Sequence, residues 1–295
     1  MELKTIVSKL DQDFAIDTVK DDWAYMFDAL FVEKSCASFR KKGKNTGLMI
    51  HNSQEVQRIY LACSPSRYVL EEIRMRGIVN CLLVVKNPFD WDGRRTGPGF
   101  LFFTEREYQL MEGMGISVYS LHVPLEIHRK NSVVSSAYGF ARILKLKVTE
   151  ELEEEGVRGQ VKQVLVGTVP EKKLSLLVKR LTGVFDYRVK VQACGDCVGK
   201  VAVVPGEGFL PALIEQAQER GVTTYITGVI THNASDYDKK TYKARFKAIR
   251  KMGVNVIGCS RYLTEKWALV YSLPYFSTIC KSVFIEDKEA LNLLE

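Results

Sequence analysis

The chain has 295 residues, 46% of them hydrophobic and 26% charged, with a formal net charge of +7. This is the composition of a globular protein, and no run of about 18 apolar residues reads as a membrane span. The basic balance permits nucleic acid or phosphorylated ligands without requiring either.

The first stretch, "MELKTIVSKLDQDF", alternates charged and apolar residues and has no signal-peptide core, so a cytoplasmic location is expected. Seven cysteines, at 36, 63, 81, 194, 197, 259 and 280, are scattered and odd in number. They read as reduced thiols and not as a disulfide framework. "VQRIYLAC" and "NCLLVVK" read as strands, with "RYVLEEIRMRG" as a helix between them that stops at Gly77. The second strand ends in Lys86, Asn87 and Pro88, where α/β sheets place ligands. "TEREYQLMEGMG" opens with Thr104 and Glu107 at capping-box spacing and leads into the strand "ISVYSLH". "KVTEELEEEGVRG" follows, read as an acidic surface connection between two tightly associated halves.

The second half repeats this grammar. "GKVAVVPGEG" is a strand and turn, "FLPALIEQAQERG" a helix, "TTYITG" a strand, "ARFKAIRKMG" a helix and "VNVIG" a strand. The whole alternation argues for an α/β fold. Gly77 and Gly221 lie 144 residues apart, Gly115 and Gly253 138, and Glu126 and Glu265 139. A near-constant offset marks an internal duplication. Two similar units can bring equivalent strand ends together. His122 stands four residues before Glu126 and Arg261 four before Glu265, while Lys86, Asn87 and His232 end other strands. As a set they suggest one interdomain cleft.

Other signals are weaker. Gly206 and Gly208 lie between a strand and a helix, but Pro211 stands where a dinucleotide fingerprint needs its third glycine, so a tight structural turn is expected. "CGDC", Cys194 to Cys197, supplies two thiols where a structural zinc needs four ligands, and reads as a thiol-bearing turn. "DYDKKTYKARFKAIRKM" is a basic amphipathic helix whose apolar face holds Tyr242, Phe246, Ile249 and Met252. It is read as a solvated face that, with "FRKKGKN", offers a nucleic-acid surface as an alternative.

The run "NTGLMIHNSQEVQRIYLACSPS", followed by Pro88, "VYSLHVPLE", "VAVVPGEG", "YITG" and "YLTE", resembles the Nif-three-like family of dinuclear metal-centre proteins over most of the chain. The resemblance implies two similar α/β domains, the second inserted into the first, assembled as a toroidal homohexamer. Applied here, the first domain is 1–122 plus 273–295 and the second 123–272. It also implies a two-metal site (Zn, Fe or Mn) between them. The paired histidines of that site correspond to Lys86 and Asn87, its aspartate to Glu126 and its late histidine to Arg261, with Glu265 kept. Protonated lysine and arginine have no lone pair for a metal. The expectation is therefore no cofactor, with Lys86 and Arg261 balancing Glu126 and Glu265 in the metals' place. Arg94, Arg95 and Arg261 would form a rim for a nucleotide or phosphorylated small molecule, with Lys86, Asn87 and His232 also lining the ligand site. The alternatives are a retained hydrolase, either metal-dependent and of the GTP cyclohydrolase type two kind or using His122 and Glu126, and a nucleic-acid-binding or transcription-linked ring.

Overall fold

The computed structural model describes residues 1–21, 27–41, 43, 45–91, 100–127, 133–155, 161–230 and 236–290. Along the chain run α1 (Leu3–Asp13), α2 (Ala29–Lys34), β1 (Gly47–Ile50), β2 (Arg58–Ala62), α3 (Arg67–Met75), β3 (Cys81–Val85), β4 (Asp90–Trp91), β5 (Phe100–Leu101), α4 (Glu105–Met114), β6 (Ile116–Ser120), α5 (Pro124–Ile127) and α6 (Ser136–Leu144). They are followed by β7 (Lys147–Glu155), β8 (Val161–Thr168), α7 (Leu174–Phe185), β9 (Lys190–Gln192), β10 (Lys200–Val204), α8 (Pro211–Glu219), β11 (Val222–Thr227), α9 (Asp236–Arg250), β12 (Asn255–Gly258), α10 (Arg261–Ile279) and β13 (Ser282–Phe284).

Among the described residues two large sheets form, in the orders β1-β6-β3-β2-β13 and β7-β8-β10-β11-β12-β9, and β4 and β5 pair as a separate two-stranded ribbon. Strands β2, β3 and β6 are mutually parallel and β1 runs antiparallel to β6. Strands β10, β11 and β12 are likewise parallel, and β9 runs antiparallel to β12. The same four-strand pattern thus occurs twice, as a duplicated unit requires. It differs at the far edge, where the C-terminal β13 joins β2 in parallel but β8 joins β10 antiparallel.

Both sheets are buried on two faces, and this is why their strands read as continuous apolar runs. In the first, Tyr60, Ala62, Leu83 and Val85 pack under α3 and α4, while Ile59, Leu61, Leu82 and Val84 face α1 and α10. In the second, Val201, Val203, Ile226 and Ile257 face α6, α7 and α10, and Ala202, Val204, Tyr225 and Val256 face α8 and α9. Helix α10 serves both cores: Tyr262 and Leu263 belong to the second, and Ala268, Leu269, Tyr275 and Phe276 to the first. The boundary expected at 272/273 falls inside this continuous helix.

Local signals behave as their chemistry dictates. Glu107 accepts from the Thr104 amide at 2.7 Å and Thr104 Oγ1 accepts from the Glu107 amide, closing the capping box. The acidic segment is a correction, because 147–155 is β7, an edge strand and not a connection. Consecutive glutamates hide its alternation, and charge on an exposed edge blocks pairing with other chains. Glu151 accepts from Tyr138 and Gln163, and Glu150 pairs with Lys200.

Candidate functional site

The carboxyl ends of β2, β3 and β6 are tied together where the polar residues begin. The Lys86 amide donates to Ala62 O, the Asn87 amide to Cys63 O at 2.7 Å, and the Leu121 amide to Val85 O. These bonds turn Lys86 inward. Its side chain is wholly buried, and its Nζ donates to Glu126 Oε1 at 2.5 Å. Glu126 is itself buried on the short helix α5. From the second sheet, Lys162 on β8 brings a second ammonium to the same oxygen, at 3.6 Å.

Asn87 joins this pair to the start of α10. Its Nδ2 donates to Glu265 Oε2 at 3.0 Å, and its Oδ1 accepts from Arg261 Nη2 at 3.1 Å. Arg261 and Glu265, one turn apart, also meet at 3.4 Å. The helical spacing i, i+4 makes that contact. The first unit has no such pair, because α5 begins at Pro124, after His122. His122 instead bonds Asp21 Oδ2 through Nδ1 at 3.0 Å.

Glycines make room for this convergence. Gly206, in the turn after β10, has φ +65°, and a Cβ there would lie 2.2 Å from Glu265 Oε1. Its amide donates to Thr264 Oγ1. A Cβ on Gly228 would press on Gly206 O at 2.6 Å and Arg261 Cα at 3.0 Å. Only glycine fits where backbone passes this close. The "PGEG" turn is structural, as expected, and it shapes the Glu265 pocket. The residue before Arg261 is unusual too: Ser260 holds φ +75°, ψ +140°, and its hydroxyl is buried without a hydrogen-bond partner. Non-glycine residues in such conformations persist where surrounding structure imposes them, and they cluster at functional sites.

The electrostatics follow from this geometry. Burial pulls the Lys86 ammonium toward neutrality, but Glu126 and Glu265 outweigh it and its pKa lies above the ordinary value. Burial raises Glu265, yet Lys86, Arg261 and Lys162 bring it down to about 2. Glu126 is lowered in the same way, with Lys162 and Lys86 outweighing its burial. Arg261 is raised, since Glu265, Glu207 and Glu126 exceed the cost of its burial. His122 moves down, because burial exceeds the pull of Asp21. Lys86, Arg261, Glu126 and Glu265 are therefore charged at neutral pH and His122 is neutral.

The structure brings together Lys86, Asn87, Glu126, Arg261 and Glu265 from the sequence-based set, with His122 close enough for Lys86 and Glu126 to bear on its protonation. Arg94, Arg95 and His232 lie outside the described residues. Two members were missed. Lys162 carried no motif, being the second residue of an unremarkable strand. Asp21 lies far upstream, held through backbone bonds with Gly43 and Asn45. Of the basic helix α9, Lys243, Lys247 and Arg250 are exposed, while Phe246 and Ile249 pack into the second core.

Glu126 and Glu265 each already meet a cationic side chain, Glu126 through Lys86 and Lys162 and Glu265 through Arg261. Among the described residues no group of three or more His, Cys, Asp and Glu side chains converges as a metal donor set. Nor is any helix among them long and apolar enough to cross a membrane.

Fold and site define a class of α/β protein built from two like units with a buried polar cluster at their junction. The chain belongs to the Duf34/NIF3 (NGG1p interacting factor 3) family, whose model matches residues 30–269. The fold is that of three solved structures. The first is the protein ybgI, described as of unknown function, with TM-score 0.70, 16% identity and coverage of 97% of this chain and 98% of that one. The second is reduced HcgD from Methanocaldococcus jannaschii, with TM-score 0.65, 18% identity and coverage of 97% and 98%. The third is a Bacillus cereus protein related to NIF3, with TM-score 0.61, 13% identity and coverage of 98% and 97%. No curated protein matches the chain by sequence.

Proposed function

We propose that this chain is a metal-independent, homo-oligomeric member of its family. In this reading the ion pairs Lys86–Glu126 and Arg261–Glu265 take over the place and charge balance of a dinuclear metal centre. The cleft between the units accepts a phosphorylated or nucleotide ligand. The observation that carries the first part is the contact of a fully buried lysine with Glu126 at 2.5 Å. A buried carboxylate needs a compensating charge, and here an ammonium supplies it.

The ligand reading rests on the start of α10. That helix has no side-chain cap and no acidic residue in its first turn, and the neighbouring Ser260 hydroxyl is buried and unpartnered. Free amides at a helix start favour an anion. Arg261 is the cation best placed to meet one: its side chain is 15% exposed, against 0% for Lys86 and 10% for Lys162. A hydrolase using His122 and Glu126 has less support. A carboxylate bound by two ammonium groups, with its pKa lowered, is a poor proton acceptor.

Calorimetric titration with inorganic phosphate, pyrophosphate and GTP tests the ligand reading. Binding by the wild type that weakens at least about tenfold in Arg261→Lys, a change that keeps charge but loses the planar fork, supports it. Failure of all three probes to bind the folded wild type overturns it.

A further inference from the structure

The turn "CGDC" plays no part in the ion-pair cluster. It joins β9 to β10 at the amino ends of the parallel strands, whereas Lys86, Asn87 and Arg261 follow carboxyl ends. All seven cysteines are free thiols, and only Cys194 and Cys197 are exposed; Cys63, Cys81 and Cys259 are buried and Cys36 and Cys280 half-buried. The exposed pair sits on a backbone fixed from below. Asn255, buried at the first position of β12, accepts from the Cys194 amide at 2.7 Å and the Gly195 amide at 3.1 Å, and donates to Cys197 O at 3.0 Å. The start of α7 holds the turn from the other side: the Leu174 amide donates to Asp196 O at 2.7 Å and the Val198 amide to Lys172 O at 3.0 Å. A single carboxamide thus grips both ends of the motif and leaves both thiols to solvent.

We infer that Cys194 and Cys197 form a dithiol site that exchanges with small disulfides and closes to an intramolecular disulfide. One cysteine, as thiolate, attacks a sulfur of glutathione disulfide. A glutathione thiolate leaves and takes up a proton, and a mixed disulfide remains on the protein. The second cysteine gives up its proton and attacks the protein sulfur of that mixed disulfide, expelling a second glutathione. Two protein thiols are oxidised and one glutathione disulfide is reduced to two glutathione molecules. Asn255 is a positioning residue here. By holding the two backbones on one side chain it raises the effective concentration of the second thiol toward the first.

Mass spectrometry of the native full-length chain, equilibrated in glutathione buffers and quenched by alkylation, tests this. The wild type is expected to lose two hydrogens, with peptide mapping placing the bond between Cys194 and Cys197. Cys194→Ser and Cys197→Ser should each stop at one added glutathionyl group on the remaining exposed cysteine. Asn255→Asp, which keeps the acceptor but loses the donor to Cys197 O, should accumulate the mixed disulfide about tenfold more at early times. Wild-type protein carrying two stable glutathionyl groups, a disulfide between chains, or no oxidation at either cysteine would overturn the inference.

Discussion

Lys86 and Glu126 meet across 2.5 Å in the interior, 40 residues apart in sequence, with side chains 0% and 4% exposed. Neither could remain there alone. Breaking a buried pair from one side strands a charge, whereas replacing both partners by neutral groups of similar shape is often tolerated. Lys86→Met is expected to destabilise the chain by about 3 kcal/mol, and the double variant Lys86→Met/Glu126→Gln to recover most of that loss. Denaturant melts of the two single variants, the double and the wild type close the cycle. Additive losses would show that the two groups do not act as a pair.

Gly206 gives a second, steric check. Its Cβ position is occupied by Glu265 Oε1 at 2.2 Å, and its φ of +65° already disfavours a side chain. Gly206→Ala should cost about 2 kcal/mol or more. Gly221 shares a positive φ, +77°, but has nothing within 4 Å of its Cβ position. Gly221→Ala should therefore show only the backbone cost of about 1 kcal/mol. Equal losses in the two variants would mean that Gly206 does not shape the Glu265 pocket.

The acid limb of stability has two sources with the same sign. His122 has a folded pKa below its ordinary 6.5, so the unfolded chain binds its proton first as pH falls. That contribution is present above about pH 6.5 and fades below it. Glu265, lowered from 4.5 to about 2, adds a loss that begins below about pH 4.5. Thermal melts at constant salt should decline between about pH 7 and pH 5, and His122→Gln should flatten that decline while leaving the steeper fall below about pH 4.5. A wild-type profile flat down to pH 5 would contradict the buried neutral histidine.

Much of this was legible in the residues themselves. The apolar runs, Gly77, Gly115 and the Thr104–Glu107 box mark elements through local chemistry, and local chemistry survives in a sequence. The near-constant offset between halves anticipated the repeated four-strand order. Lys86, Asn87, Glu126, Arg261 and Glu265 were found because each sits at a strand end or helix start that recurs. Lys162 and Asp21 escaped because nothing local distinguishes them. They reach the cluster through tertiary placement, Lys162 across from the second sheet and Asp21 through backbone bonds to Gly43 and Asn45. Strand β7 escaped because its glutamates serve an edge exposed to solvent, which leaves no clean alternation. Asn255, one residue into "VNVIG", gave no hint that it holds a turn 60 residues earlier.

Metal content tests the central claim most directly. Protein purified without chelators and desalted should hold zinc, iron and manganese together at well below one equivalent per chain, and chelator treatment should leave its melting temperature unchanged, since no ion bound to the native state is being withdrawn. Retention of two equivalents of metal per chain, with melting lowered by chelation, would show that Glu126 and Glu265 serve a metal centre after all and would contradict the account.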